Sequence, residues 1–340
     1  MKKEKIAIIT QPLQNNYGGL LQNFAMQKVI LDLGYEPITI DYMKVVCPPF
    51  WRYILSSLKT IFLRLRGKKR RLFWFSHKGR RNKQNELFVA THLKKTKTLY
   101  KYSFQILRNY GIDVVLVGSD QVWRPKYSYK LIDMFLDFCK DESNLKRIAY
   151  AASFGVDKWE YSPKEEKRCS TLAKKFNAIS VRENSGVKLC HDYLGVDASW
   201  VLDPTFLLDK TVYCNLCKDI PASCEKILVA YVLDRNDSIR SMCETIASER
   251  GCVLKYFEAD RNAVLSIPEW LAMFRDASYV VTDSFHGTIF SIIFEKEFKC
   301  IYNESRGSAR FESLLKMYKS GSLAEMKDFS LNWLKKALES

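Results

Sequence analysis

Short apolar runs alternate with helix-spaced segments along almost the whole chain, and few folds accept that pattern. Ile6-Ala7-Ile8-Ile9 is a compact buried strand, Leu20 to Leu33 is a helix closed at Gly34, and Pro37 to Tyr42 is a second strand. Asp113 to Val117, Arg147 to Ala152, Ala178 to Val181 and Val201 to Asp203 continue the series, and Pro204 breaks it. A second unit repeats the alternation. Its strands are Ile227 to Val232, Val253 to Phe257, Tyr279 to Thr282 and Phe298 to Tyr302. Helices are expected over Asp237 to Glu249, Ile267 to Phe274 and Thr288 to Phe294. Strands this apolar and this short imply α/β architecture with parallel sheets covered on both faces. Two such units in tandem place a ligand cleft between them, at the strand C-termini. The expected division is 1–204, 205–325 and a terminal helix within 326–340, whose core, Leu331 to Leu338, crosses back onto the first unit.

The net charge of +16 is unevenly distributed. Between Tyr42 and Asn85 there are thirteen Lys and Arg and no acid, so the rest of the chain carries only about +3. Trp51, Phe62, Phe73, Trp74 and Phe75 lie in the same window. A basic insertion mixed with aromatics suits an anionic lipid surface, and equally a solvated basic face. No nucleic-acid motif accompanies it, and no apolar run reaches the ~18 residues of a membrane span. Ten cysteines without a secretory h-region after Met1-Lys2-Lys3 read as free thiols in a reducing cytoplasm. Cys214, Cys217 and Cys224 are only a partial metal pattern with no matched second pair, so no metal is expected.

Four motifs carry chemistry. Asn15-Asn16-Tyr17-Gly18-Gly19-Leu20-Leu21-Gln22 follows the first strand, and its glycines let backbone approach a ligand. It is not G-x-G-x-x-G, so a nicotinamide cofactor is not expected. Gly118-Ser119-Asp120-Gln121-Val122-Trp123 offers a carboxylate, an amide and an indole to a sugar, unless Asp120 merely caps a turn. Ser180-Val181-Arg182-Glu183 puts an arginine at a strand C-terminus, where it binds an anion or pairs with Glu183. Thr282-Asp283-Ser284-Phe285-His286-Gly287-Thr288 reads as strand, tight turn, helix, with Arg306 and Arg310 about twenty residues on. A histidine at a helix N-terminus with arginines nearby is suited to hold and protonate a small multiply charged anion. The alternative is a neutral histidine capping a helix.

Together with Leu202-Asp203-Pro204-Thr205, and in this order, these motifs resemble the polysaccharide pyruvyl transferases over about residues 5 to 318. The resemblance implies two Rossmann-like domains in a glycosyltransferase-B-like arrangement. It implies phosphoenolpyruvate as donor and co-substrate, a saccharide as acceptor, and no further cofactor. His286 then maps to the family's histidine and Arg182, Arg306 and Arg310 to anion-binding arginines, with Ser284, Gly287 and Thr288 beside the donor. Asn16, Tyr17, Gly18, Gln22, Asp120, Gln121 and Trp123 become the acceptor side. The basic insertion matches no family motif.

The expectation is therefore a cytoplasmic enzyme that ketalises a cell-surface or exopolysaccharide precursor. A lipid-linked precursor would account for the basic window as a contact with the inner face of the membrane. The rivals are a nucleotide-sugar glycosyltransferase of the same architecture and a catalytically lapsed saccharide-binding protein.

Overall fold

The structure, a computed structural model, describes residues 3–43, 57, 82–128, 130–234, 236–257, 265–301 and 307–340. The first domain is built on six parallel strands: β1 (Lys5–Ile9), β2 (Glu36–Thr39), β3 (Val114–Val117), β4 (Lys146–Ala152), β5 (Ala178–Val181) and β6 (Ser199–Trp200). Their spatial order is β2-β1-β3-β4-β5-β6. The second domain holds β7 (Ile227–Tyr231), β8 (Val253–Phe257), β9 (Ala277–Thr282) and β10 (Glu297–Cys300), in the order β10-β9-β7-β8, again all parallel. Each sheet reverses its strand order once, between β1 and β3 and between β7 and β9, and ligands bind at such reversals.

The helices among the described residues are α1 (Tyr17–Asp32), α2 (Lys83–His92), α3 (Phe104–Tyr110), α4 (Pro163–Ala173), α5 (Asn184–Leu189), α6 (Lys210–Leu216), α7 (Asp237–Glu249), α8 (Ile267–Asp276), α9 (Phe285–Ile293), α10 (Ala309–Ser320) and α11 (Leu323–Glu339). Central strands such as Val114–Val117 are buried along their length, because helices cover both faces of the sheet. None of the described helices is long and apolar enough to cross a membrane.

Three boundaries differ from the sequence reading in ways that matter. Helix α1 begins at Tyr17, so Gly18 and Gly19 lie in its first turn, capped by Asn16, whose side chain accepts from the Gly19 amide at 3.2 Å. Helix α9 begins at Phe285, which places His286 inside the first turn. The sheet ends at Trp200, so Val201 to Asp203 is not a strand. The chain instead leaves the sheet edge, and Asp203 caps a 3₁₀ turn over Pro204–Leu207.

The domains meet through side chains as well as loops. Tyr17 stacks on Trp270 at 5.7 Å, and its hydroxyl donates to the Leu265 carbonyl at 2.8 Å. Burial pushes that phenol up to about 12. Helix α10 reaches the first domain where the Ser313 hydroxyl accepts from the Asn184 amide at 3.1 Å. Helix α11 crosses back completely: Trp333 packs on Tyr150, the Ser330 hydroxyl accepts from the Leu202 amide, and Lys146 donates to the Leu338 carbonyl. The basic window lies almost wholly outside the described residues, so its expected lipid contact has no structural description.

Candidate active site

The two strand-order reversals face one another across a cavity of about 480 Å³. The first domain lines it with Gln11, Gln14, Asn15, Asn16, Asp120 and Gln121. The second contributes Leu233 and Asp283 to His286, and α10 adds Arg310 and Phe311. A second cavity of about 470 Å³ shares Gln11, Pro12, Gln14 and Tyr127 with the first and extends to Tyr42.

The Thr282–Thr288 motif holds itself rigidly. The Thr282 hydroxyl donates to the Tyr231 carbonyl at 2.7 Å and accepts from the Ser284 amide at 3.1 Å. Both Asp283 carboxylate oxygens accept backbone amides, from Leu233 and Asp234, each at 2.7 Å, which ties this turn to the loop after β7. The Ser284 hydroxyl caps α9 by accepting from the Gly287 amide at 3.3 Å. His286 then projects toward the first domain and packs on Gly18. A Cβ at Gly18 would overlap its Nδ1 and Cγ, so only glycine fits there. His286 is 7 % exposed, and its Nε2 is buried without a hydrogen-bond partner, 3.7 Å from Asp203 Oδ2. That separation is longer than a hydrogen bond.

Behind the histidine lies a buried charge cluster. Asp203 accepts from Arg182 Nη1 at 2.9 Å, from the Ser119 hydroxyl at 3.3 Å and from the Thr205 hydroxyl at 2.7 Å. Asp120, at a left-handed φ of 68°, turns its carboxylate onto Arg182 Nη2 at 3.3 Å. Burial disfavours ionisation of both acids. His286 and Arg182 outweigh it at Asp203; Arg182, then His286 and Arg310, outweigh it at Asp120. Both carboxyls are therefore held below the usual carboxylate range. Arg310 lies over Phe285 at 5.0 Å, and burial with the neighbouring Arg182 charge brings its guanidinium down to about 10.

The predicted site residues divide accordingly. Asn16, Asp120, Gln121, Ser284, His286 and Arg310 all line the cavity. Arg182 is a correction: it sits behind the cavity wall, its two terminal nitrogens bonded to Asp203 and Asp120 and its guanidinium over Phe285 at 4.6 Å. Its terminal nitrogens are turned to those carboxylates and not to the cavity. Glu183 is not its partner either, because Glu183 Oε1 accepts from the Phe154 and Gly155 amides. Trp123 is a second correction, since it is fully buried, stacks on Phe135 at 4.8 Å and donates its indole N–H to Met134. No face of its ring is left for a sugar. Gln22 is a third: it bridges Thr10 and the Ser119 amide inside the domain. Tyr17 serves the domain interface and Gly18 makes room for His286.

The Gly287 and Thr288 amides bond the Ser284 hydroxyl and carbonyl, so these residues can reach a donor only through the field of the helix N-terminus. Arg306 lies outside the described residues. Asp203 was missed as a site residue. Its signal was the Asp-Pro step after an apolar run, which marked a break but not the direction of the carboxylate. Among the described residues no group of His, Cys, Asp or Glu is arranged to hold a metal.

The fold and cavity define a two-domain α/β protein whose interdomain cleft is lined, among the described residues, by one histidine and one arginine. The sequence profile of the family described as polysaccharide pyruvyl transferase matches residues 16–305, and the chain belongs to that family. It is a transferase by that membership. No curated protein matches the chain. Among solved structures, the S. aureus MnaA–UDP co-structure is 10% identical, covers 95% of this chain and 90% of its own, and superposes with a TM-score of 0.50. The UDP-GlcNAc 2-epimerase from Neisseria meningitidis bound to UDP-GlcNAc is 8% identical, with 98% and 99% covered and a TM-score of 0.47. The wall teichoic acid polymerase TagF is 9% identical, with 100% and 84% covered and a TM-score of 0.46. The first likeness is one of fold, and the two Rossmann-like domains are arranged as in glycosyltransferase-B proteins.

Proposed function

We propose that this chain transfers the pyruvyl group of phosphoenolpyruvate onto two hydroxyls of a saccharide, forming a ketal and releasing phosphate. The observation that carries the reading is a buried histidine where the two strand-order reversals meet, with Arg310 lining the same cavity. In the reaction a proton is added to the methylene carbon of the donor, which becomes the methyl group. The adjacent carbon becomes electrophilic, two sugar oxygens bond to it in turn, and its bond to the phosphate oxygen breaks. Of the two hydroxyl protons released, one balances the new methyl hydrogen and the other leaves with phosphate. His286 is the proton carrier, and Arg310 neutralises donor charge. Amides from Gln11, Gln14, Asn15, Asn16 and Gln121 form a wall suited to sugar hydroxyls.

The substrate is a cell-surface or exopolysaccharide precursor handled in the cytoplasm, and the basic window 42–85 holds the enzyme against anionic lipid at the inner leaflet. Vesicle co-sedimentation tests that part. Binding to phosphatidylglycerol vesicles should fall with salt and with neutralisation of Lys68 to Arg71, and equal binding to neutral vesicles refutes it.

A thermal-shift panel tests the chemistry. Phosphoenolpyruvate at tenfold excess over its dissociation constant should stabilise the fold by about 1.4 kcal/mol, and UDP, GDP and UDP-sugars should not. Saturable stabilisation by a UDP-sugar with no response to phosphoenolpyruvate would instead establish the glycosyltransferase reading.

A further inference from the structure

We infer that Asp203 is the positioning residue of His286: it fixes the neutral imidazole with its proton on Nε2, leaving Nδ1 to take up and deliver the transferred proton. The inference rests on the reading of His286 as the proton carrier and adds which nitrogen acts and what sets it.

The geometry around the ring favours a proton on Nε2. Nε2 is buried and lacks a hydrogen-bond partner, which is costly for a polar atom in the interior. Asp203 Oδ2 stands 3.7 Å away, within an ångström of hydrogen-bond distance. A carboxylate only accepts, so closing that gap requires the proton to be on Nε2.

Asp203 is itself fixed from three directions. Arg182 Nη1 and the Ser119 hydroxyl bond Oδ2, and the Thr205 amide and hydroxyl bond Oδ1. The acid therefore stays ionised and stationary while the imidazole adapts to it. On the other side, Gly18 presses on Nδ1 and Cγ and restricts rotation of the ring. The remaining charges near the ring, Asp120 after β3 and Arg310 on α10, act on it only through space. This is the general arrangement of a working imidazole oriented by a carboxylate at its second nitrogen, which sets the tautomer.

The experiment reads the tautomer directly in the full chain without donor or acceptor. Long-range ¹H–¹⁵N correlation spectra of uniformly ¹⁵N-labelled protein are recorded where the imidazoles are neutral. The chain has four histidines, and the His286 signals are identified by their loss in His286→Gln. The wild type should show the Nε2–H tautomer. Asp203→Asn, whose amide can donate to Nε2, should move His286 toward the Nδ1–H form, and Asp203→Glu should restore Nε2–H. A wild-type His286 in the Nδ1–H form overturns the inference, even if neither variant folds. So does an Asp203→Asn protein whose His286 tautomer is unchanged. Because no substrate is present, failure of phosphoenolpyruvate to bind would refute the proposed reaction without touching this result.

Discussion

On the first-domain side of the cleft, the loop between β1 and α1 supplies Gln11, Gln14, Asn15 and Asn16. Gln11 is held through its nitrogen, by the Gln121 carbonyl and the Ser128 hydroxyl, and Asn15 through its oxygen, by the Asn82 amide and Asn85. The other end of each amide remains chemically able to take a hydroxyl. On the second-domain side, Thr282, Asp283 and Ser284 commit their polar atoms to the backbone of their own domain. That wall presents a single imidazole on a stiff mount. The contrast teaches where adaptability lies: amides held at one end can turn the other to varied hydroxyls, whereas the imidazole is held in one position. The stiff mount extends across the interface, because Asp203 and Arg182 belong to the first domain.

The sharpest way to break this contrast is Arg182→Met. If Arg182 is a structural counter-ion, its loss removes the guanidinium shared by two buried carboxylates and should cost about 3–5 kcal/mol of stability, read by urea unfolding. A normally stable variant with weaker phosphoenolpyruvate binding would return Arg182 to the donor site.

His286→Ala should lower turnover by about 10²-fold or more, equivalent to roughly 2.7 kcal/mol, with a smaller change in donor affinity. Full turnover with the native acceptor would reduce the histidine to a helix-capping role.

Gly18→Ala should cost about 1–3 kcal/mol through overpacking, and turnover should fall with it as the ring is displaced. An unchanged melting temperature would mean the ring is not held from that side.

Acid titration separates the cluster from the mount. Asp203 and Asp120 have folded-state carboxyls below their unfolded values, near 3.9. Their stabilisation is thus fully present above that unfolded value and is lost as pH falls below about 4 toward the folded values. Asp203→Asn should lack its share of that loss, giving a shallower stability–pH curve below pH 4. An unchanged acid slope would show that Asp203 is not held ionised.

The smallest effect belongs to the domain contact. Tyr17→Phe removes the bond to the Leu265 carbonyl but keeps the stack on Trp270, and should cost about 0.5–1.5 kcal/mol.

Strand identity was legible because the apolar runs are short, uninterrupted and β-branched. The interval Ala178–Val181 is the same in sequence and structure, as are Asp237–Glu249 and Val253–Phe257. Helix starts were less legible where glycines depress local propensity. Asn16 and Ser284 begin their helices three or more residues earlier than apolar spacing indicates, because capping and burial override propensity there. Of the site, His286 and Arg310 could be read from their motif and its neighbourhood. The fates of Arg182 and Trp123 could not, since each depends on residues far away in sequence: Asp203 and Asp120 for the arginine, Phe135 and Met134 for the indole. A strand C-terminus predicts position along the sheet, not which of two layers a side chain joins.

Helix α11 gives the chain an order of assembly. It is encoded after the whole second domain, yet it covers the first-domain surface around Tyr150, Leu202 and Lys146. During synthesis the first sheet must wait, with that face unsealed, until the entire second domain has left the ribosome. Sealing it then closes a loop of chain that starts and finishes on the same domain. A segment translated after the second domain therefore completes the first unit begun.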